Sequence, residues 1–159
     1  MTSSTLSTIA VIGAGTMGHG IAHVCAAAGF HAALFDVRHE LVAAGLAKIS
    51  ANLDAGVAKG KVTAEQRAAT LANLRGEADF AAALTGAQLV IEAVPEKLEP
   101  KQKLLREAAE IAGPAAILAT NTSSLSVSAI AAAVPGPQRV IGTPFFNPVH
   151  LMKLLEIVV

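Results

Sequence analysis

Four runs along the chain are apolar throughout, and each is followed by a stretch with helical spacing. Residues 8 to 14, TIAVIGA, end on glycine; TMGHGIAHVCAAAG then shows 3.6-residue periodicity and stops at Gly29, a residue suited to a helix C-terminus. HAALFD, 31 to 36, is a second apolar run closed by an acid. Two helices are predicted next, over 38–59 and 63–75, joined by GKVT, with Thr63 and Gln66 spaced as a capping box for the second. AQLVIEAV, 87 to 94, predicts a third strand and a charged helix follows from about Glu99 to Ala112. AAILATN, 115 to 121, predicts the fourth, with a helix from about Leu125 to Val134 behind it. RVIGTPF and KLLEIVV read as strand-like runs at the end.

Strands without a polar face need cover on both sides, so this order predicts an α/β fold, a Rossmann-type doubly wound and mainly parallel sheet. The helical pair at about 38–75 exceeds what a crossover needs and is expected to project as an arm. The whole chain, 1–159, reads as one dinucleotide-binding domain. Val159 closes a strand-like run without a turn or cap, an ending that predicts further chain.

Composition narrows the function classes. Twelve basic residues balance twelve acidic ones, and Trp and Tyr are absent. Nothing there attracts a phosphate backbone or stacks on bases, so nucleic-acid binding is not expected. No apolar stretch reaches the ~18 to 20 residues of a spanning helix, and MTSSTLST has no basic signal-peptide region. The single Cys, Cys25, lies on an apolar helical face with Ile21 and Ala28 and is expected in the core. These features point to a cytoplasmic protein.

GAGTMG, 13 to 18, fits G-x-G-x-x-G between a strand and a helix, and Asp36 ends the next strand 18 residues beyond Gly18. Gly13 suits a tight turn, Gly15 leaves room for a pyrophosphate, and Gly18 permits close helix–strand packing. Thr16 and Met17 open the helix, whose free N–H groups and positive dipole end favour phosphate. Asp36 would accept hydrogen bonds from the adenosine ribose and repel a 2′-phosphate, which favours NAD over NADP despite Arg38 nearby. His19 and His23 are spaced i, i+4, but no third ligand is evident and packing or surface roles are expected, so no metal is assigned.

At the ends of the later strands stand Glu92 and Lys97, then Asn121 with Ser123 and Ser124, then Asn147, His150 and Glu156. A Ser of NTSS serves equally as a helix cap or as a functional hydroxyl. Glu156 within KLLEIVV needs a base, a donor or water if buried.

GAGTMG, LFD, VIEAVPEK, ATNTSS and GTPFFNPVHLMKLLEIV, taken together and in this order, resemble the NAD-binding domain of the L-3-hydroxyacyl-CoA / 3-hydroxybutyryl-CoA dehydrogenases over essentially the whole chain. The resemblance implies NAD-dependent oxidation of a 3-hydroxyacyl-CoA to the 3-ketoacyl-CoA. It implies Ser123 on the substrate oxygen and Glu156 orienting a general base. Glu92, Lys97, Asn121 and Asn147 match positions of the cofactor site, and Lys59 on the arm matches one near CoA. The family's base, a His directly before FFNP, is Pro144 here, with His150 a weak substitute six residues on. The family's helical substrate domain is also missing, to be supplied in trans or lost, leaving apolar surface that can drive self-association. Two alternatives therefore stand beside the dehydrogenase: an NAD-binding module with little or no turnover, and a 3-hydroxyisobutyrate-type dehydrogenase.

Overall fold

The computed structural model describes residues 6–159. Six parallel strands run in the order β3-β2-β1-β4-β5-β6. They are β1 Thr8–Ile12, β2 His31–Phe35, β3 Leu74–Glu77, β4 Leu89–Glu92, β5 Ile117–Thr120 and β6 Val140–Gly142. Strand order reverses between β1 and β4, so the crevice for a ligand opens at their carboxyl ends.

The apolar character of β1 follows from cover on both faces. Ile9 and Val11 join one buried cluster with Ile21, Cys25 and Ile49, from helices α1 (Thr16–Ala27) and α2 (His39–Ala58). Ala10 and Ile12 point the other way, into a cluster with Leu84, Leu105 and Ile130. These last come from α4 (Phe80–Leu84), α5 (Leu98–Ala112) and α6 (Val127–Ala131). Cys25 is in the core as expected, and burial pushes its thiol up to about 12.

The helical arm consists of α2 and α3 (Ala64–Ala72). The expected capping box is present: Thr63 Oγ1 accepts from Gln66 N, and Gln66 Oε1 accepts from Thr63 N. Val42, Gly45, Ile49 and Leu53 form the buried stripe of α2, while the tip around Lys59–Lys61 is exposed. Among the described residues α2 alone has the length and apolar content of a membrane span. This differs from the expectation that no apolar stretch is long enough, because Glu40, Lys48 and Asp54 interrupt a helix that is otherwise apolar; its buried stripe packs on α1 and the sheet.

Four expectations change. The second arm helix stops at Ala72, and Leu74–Glu77 becomes the edge strand β3, where Gly76 admits Val42 and Leu46 of α2 within 3 Å of where a Cβ would stand. Helix α4 was not anticipated; Asp79 caps it by accepting from Ala82 N at 2.8 Å. Helix α6 begins at Val127, two residues late, because Ser126 caps it through Ala129 N. KLLEIVV is no regular strand: it returns along β6 through only two antiparallel bridges, Phe145 with Leu155 and Gly142 with Val158. Residues 151–159 are all exposed.

Candidate functional site at the carboxyl edge of the sheet

The glycine loop is held from two sides and open on the third. Gly13 has φ +102°, donates its N–H to the Phe35 carbonyl at 2.8 Å, and would bring a Cβ within 2.7 Å of the Ala93 carbonyl. A Cβ on Gly18 would fall 1.6 Å from the Gly13 oxygen. Around Gly15, by contrast, nothing lies within 4 Å of such a position. The backbone is thus pinned at both ends and bare in the middle, at the N-terminus of α1 where Thr16 and Met17 begin the first turn. Asp36 closes the far wall: Oδ2 accepts from Ala14 N at 2.9 Å and Oδ1 from Arg38 N at 3.0 Å. This cradle fits a dinucleotide such as NAD: the bare backbone at Gly15 and the helix start suit a pyrophosphate, and a carboxylate stands across from them.

Beneath the crevice lies a polar cluster that differs from the expected cofactor contacts. Glu92 is fully buried. Its Oε1 accepts from Lys101 Nζ at 2.5 Å and Val94 N at 3.0 Å, and its Oε2 from Thr120 Oγ1 at 2.8 Å. Burial pushes its carboxyl up, against the pull of Lys101. These bonds make Glu92 a brace for the ends of β4 and β5. Lys97 is the N-cap residue of α5, exposed and without a side-chain capping bond. Lys101, 1% exposed, also pairs with Glu96 at 3.2 Å. Glu96 in turn accepts from the hydroxyls of Thr122 and, at 3.0 Å, Ser124. Burial works against its charge, but the bonds from Thr122, Lys101 and Ser124 together hold its carboxyl below the ordinary range. Sequence reasoning passed over Lys101 and Glu96 because an exposed loop acid and a helix lysine are ordinary in isolation.

The NTSS loop resolves the choice between caps and free hydroxyls. Thr122 Oγ1 accepts from Ser124 N and Leu125 N, and Ser126 caps α6, so neither Ser123 nor Ser124 caps a helix. Ser123 is exposed, and its hydroxyl has no partner among the described residues. Asn121 holds the next loop, its Oδ1 accepting from Phe145 N at 2.8 Å. The two antiparallel bridges share one register, which sets Pro144 opposite Glu156. Pro144 is buried and Glu156 exposed, with no ion pair or hydrogen bond among the described residues. Asn147 is exposed and precedes a cis peptide bond to Pro148.

Lys59 and His150 lie elsewhere. They line a cavity of about 870 Å³ between α1, the arm and the turn at 150–153. His150 stacks on His23, which is buried on α1. His19 Nδ1 lies 2.7 Å from the Gly15 carbonyl. No group of three metal-binding side chains occurs among the described residues.

Comparison with known proteins bears on this arrangement. A family model described as "3-hydroxyacyl-CoA dehydrogenase, NAD binding domain" matches residues 8–159. A 3-hydroxyadipyl-CoA dehydrogenase of Escherichia coli (strain K12) is 46% identical over 96% of this chain and 32% of its own length. A 3-hydroxybutyryl-CoA dehydrogenase of Bradyrhizobium diazoefficiens is 42% identical over 98% of this chain and 53% of its own length. The crystal structure of 3-hydroxybutyryl-CoA dehydrogenase from Escherichia coli K12 superposes with a TM-score of 0.93 at 46% identity, covering 96% of this chain and 32% of that one. The chain therefore spans about a third to a half of the length of these relatives.

Proposed function

This chain belongs to the family of 3-hydroxyacyl-CoA dehydrogenase NAD-binding domains, and from that premise we propose that it is the cofactor half of an enzyme oxidising a 3-hydroxyacyl-CoA to the 3-ketoacyl-CoA. The observation that carries the reading is the glycine loop, closed at Gly13 and Gly18 and bare at Gly15, with Asp36 across from it. NAD, when bound, supplies the hydride acceptor at nicotinamide C4. Asp36 selects the unphosphorylated ribose by charge. Ser123, free of internal bonds, donates to the substrate's C3 oxygen. Asn121 fixes the loop before Phe145, and the Lys101–Glu96 pair braces the NTSS turn from below. The acyl-CoA lies toward the cavity at Lys59, whose lysines suit its phosphates. The relatives named above are, by name, dehydrogenases of CoA thioesters, which favours this reading over a 3-hydroxyisobutyrate-type enzyme. A cytoplasmic location goes with it, as does a helical substrate domain reached in cis or in trans.

The register of the C-terminal run favours a second reading beside the first. The resemblance sets a general base at residue 144, and its register opposite Glu156 supports that reading, because a carboxylate beside an imidazole fixes its tautomer and raises its basicity. Proline there accepts no proton. Loss of a general base costs about 10²- to 10⁴-fold in rate, which makes this chain an NAD-binding module of low turnover. His150 does not fill the gap, because its ring is stacked on His23.

NADH oxidation with acetoacetyl-CoA tests both readings, using the chain alone and with the helical domain of a relative supplied. The expected result is near-background turnover for the unaltered chain and a gain of about 10²-fold or more for Pro144→His with the helical domain. Appreciable turnover by the unaltered chain removes the low-turnover reading. No gain in Pro144→His with that domain present removes residue 144 as the seat of the base.

A further inference from the structure

The cavity beside the arm contains a feature that the dehydrogenase reading leaves without a role. Lys59, Lys61 and Lys153 line it and no Asp or Glu does, so its charge favours an anionic ligand. Its aromatic surface consists of imidazoles, since no Phe lines it and the chain has neither Trp nor Tyr. His23 and His150 stack there with ring centroids 5.6 Å apart and planes within 16°.

Packing builds the stack. Val149 is buried against Gly20, where an added Cβ would come within 2.9 Å of the valine side chain. His23 stands one helical turn beyond Gly20, and the residue after Val149 lands on its ring. His23 is 7% exposed and its Nδ1 has no hydrogen-bond partner. Burial, then the neighbouring His150 and His19, lowers His23 to about 4, so the inner ring is neutral at pH 7 and adds no charge repulsion to the stack. His150 remains exposed on the outside.

We propose that His150, backed by His23, is the platform on which the adenine ring of the CoA thioester stacks, while Lys59, Lys61 and Lys153 take its phosphates. The inference rests on the acyl-CoA reading above and adds to it the residue that reads the nucleotide end. A purine needs a flat, partly apolar partner, and an imidazole already backed by a second ring is ordered before the ligand arrives.

The test is calorimetric titration of the full chain with CoA and with 4′-phosphopantetheine, which keeps a phosphate and the pantetheine arm but lacks adenosine. His150→Ala is expected to weaken CoA about tenfold, the loss of one base–aromatic stack, and to leave phosphopantetheine unchanged. His150→Phe, which restores a flat ring, regains most of the CoA affinity. NAD⁺ affinity is the same in both variants, because His150 lies outside the dinucleotide crevice. Equal losses for both ligands, or CoA binding unmoved by His150→Ala, overturn the platform and leave the acyl-CoA reading standing. Failure of the unaltered chain to bind either CoA or phosphopantetheine overturns that reading and the platform with it.

Discussion

Lowering the pH should destabilise this protein through His23 in particular. The ring is 7% exposed, one nitrogen has no partner, and burial together with His150 and His19 lowers it from 6.5 to about 4. The unfolded chain therefore binds a proton at this residue between about pH 6.5 and 4, where the folded chain does not. Stability from His23 is fully present above the unfolded value and is lost as pH falls toward the folded one. At ~1.36 kcal/mol per pH unit, that difference sets an upper bound of about 3 kcal/mol across the window, reduced by solvent screening from the cavity that His23 lines. That is a large share of the ~5 to 15 kcal/mol that holds a domain together. The assay is urea unfolding of the wild type and His23→Gln at pH 7.5, 6.0, 5.0 and 4.5. Carboxylates that titrate near the lower end act equally in both proteins, so the difference in slope isolates His23. The wild type should lose stability more steeply than the variant. His150→Ala, which removes the second cause of the shift, should have an intermediate slope. Identical slopes for wild type and His23→Gln would refute the reasoning.

The glycine loop separates binding from folding. Gly15→Ala, with open space around its Cβ, should keep the wild-type melting temperature and lose most NAD affinity, whereas Gly18→Ala, 1.6 Å from the Gly13 oxygen, should lose both; equal stability of the two in thermal melts would contradict the packing. The buried pair under β4 makes a second contrast. Lys101→Met leaves Glu92 buried without its cationic partner and should cost about 3 to 5 kcal/mol in chemical denaturation, while adding Glu92→Gln to it should recover part of that loss. A single-variant cost below about 1 kcal/mol would mean the pair is not buried as described.

Much of the architecture is legible along the chain because its signals are local. TIAVIGA, HAALF and AQLVIE are apolar on both faces, and only a strand covered on both sides can use such a run. GAGTMG states its geometry in residue types: without side chains at Gly13 and Gly18 the loop can close, and Asp36 is carried to it by the neighbouring strand. The capping box at Thr63 and the core position of Cys25 follow from spacing alone. LRGE gives no such signal. It is polar, contains a glycine, and becomes β3 only because β2 offers an unpaired edge and α2 presses on Gly76.

The candidate site divides in the same way. Sequence by itself determined the parallel sheet and the dinucleotide loop with its acid, since each depends on residue type and short-range period. The tertiary structure decided four other things. Lys101 is buried, because its face of α5 meets Glu92. Ser123, and not Ser126, is left free of capping. Pro144 faces Glu156, and His150 meets His23, because the returning C-terminal run and a buried Val149 bring distant residues into register. Periodicity states which side of an element turns inward. Which partner it meets there depends on how the elements dock, and that is a property of the assembled core.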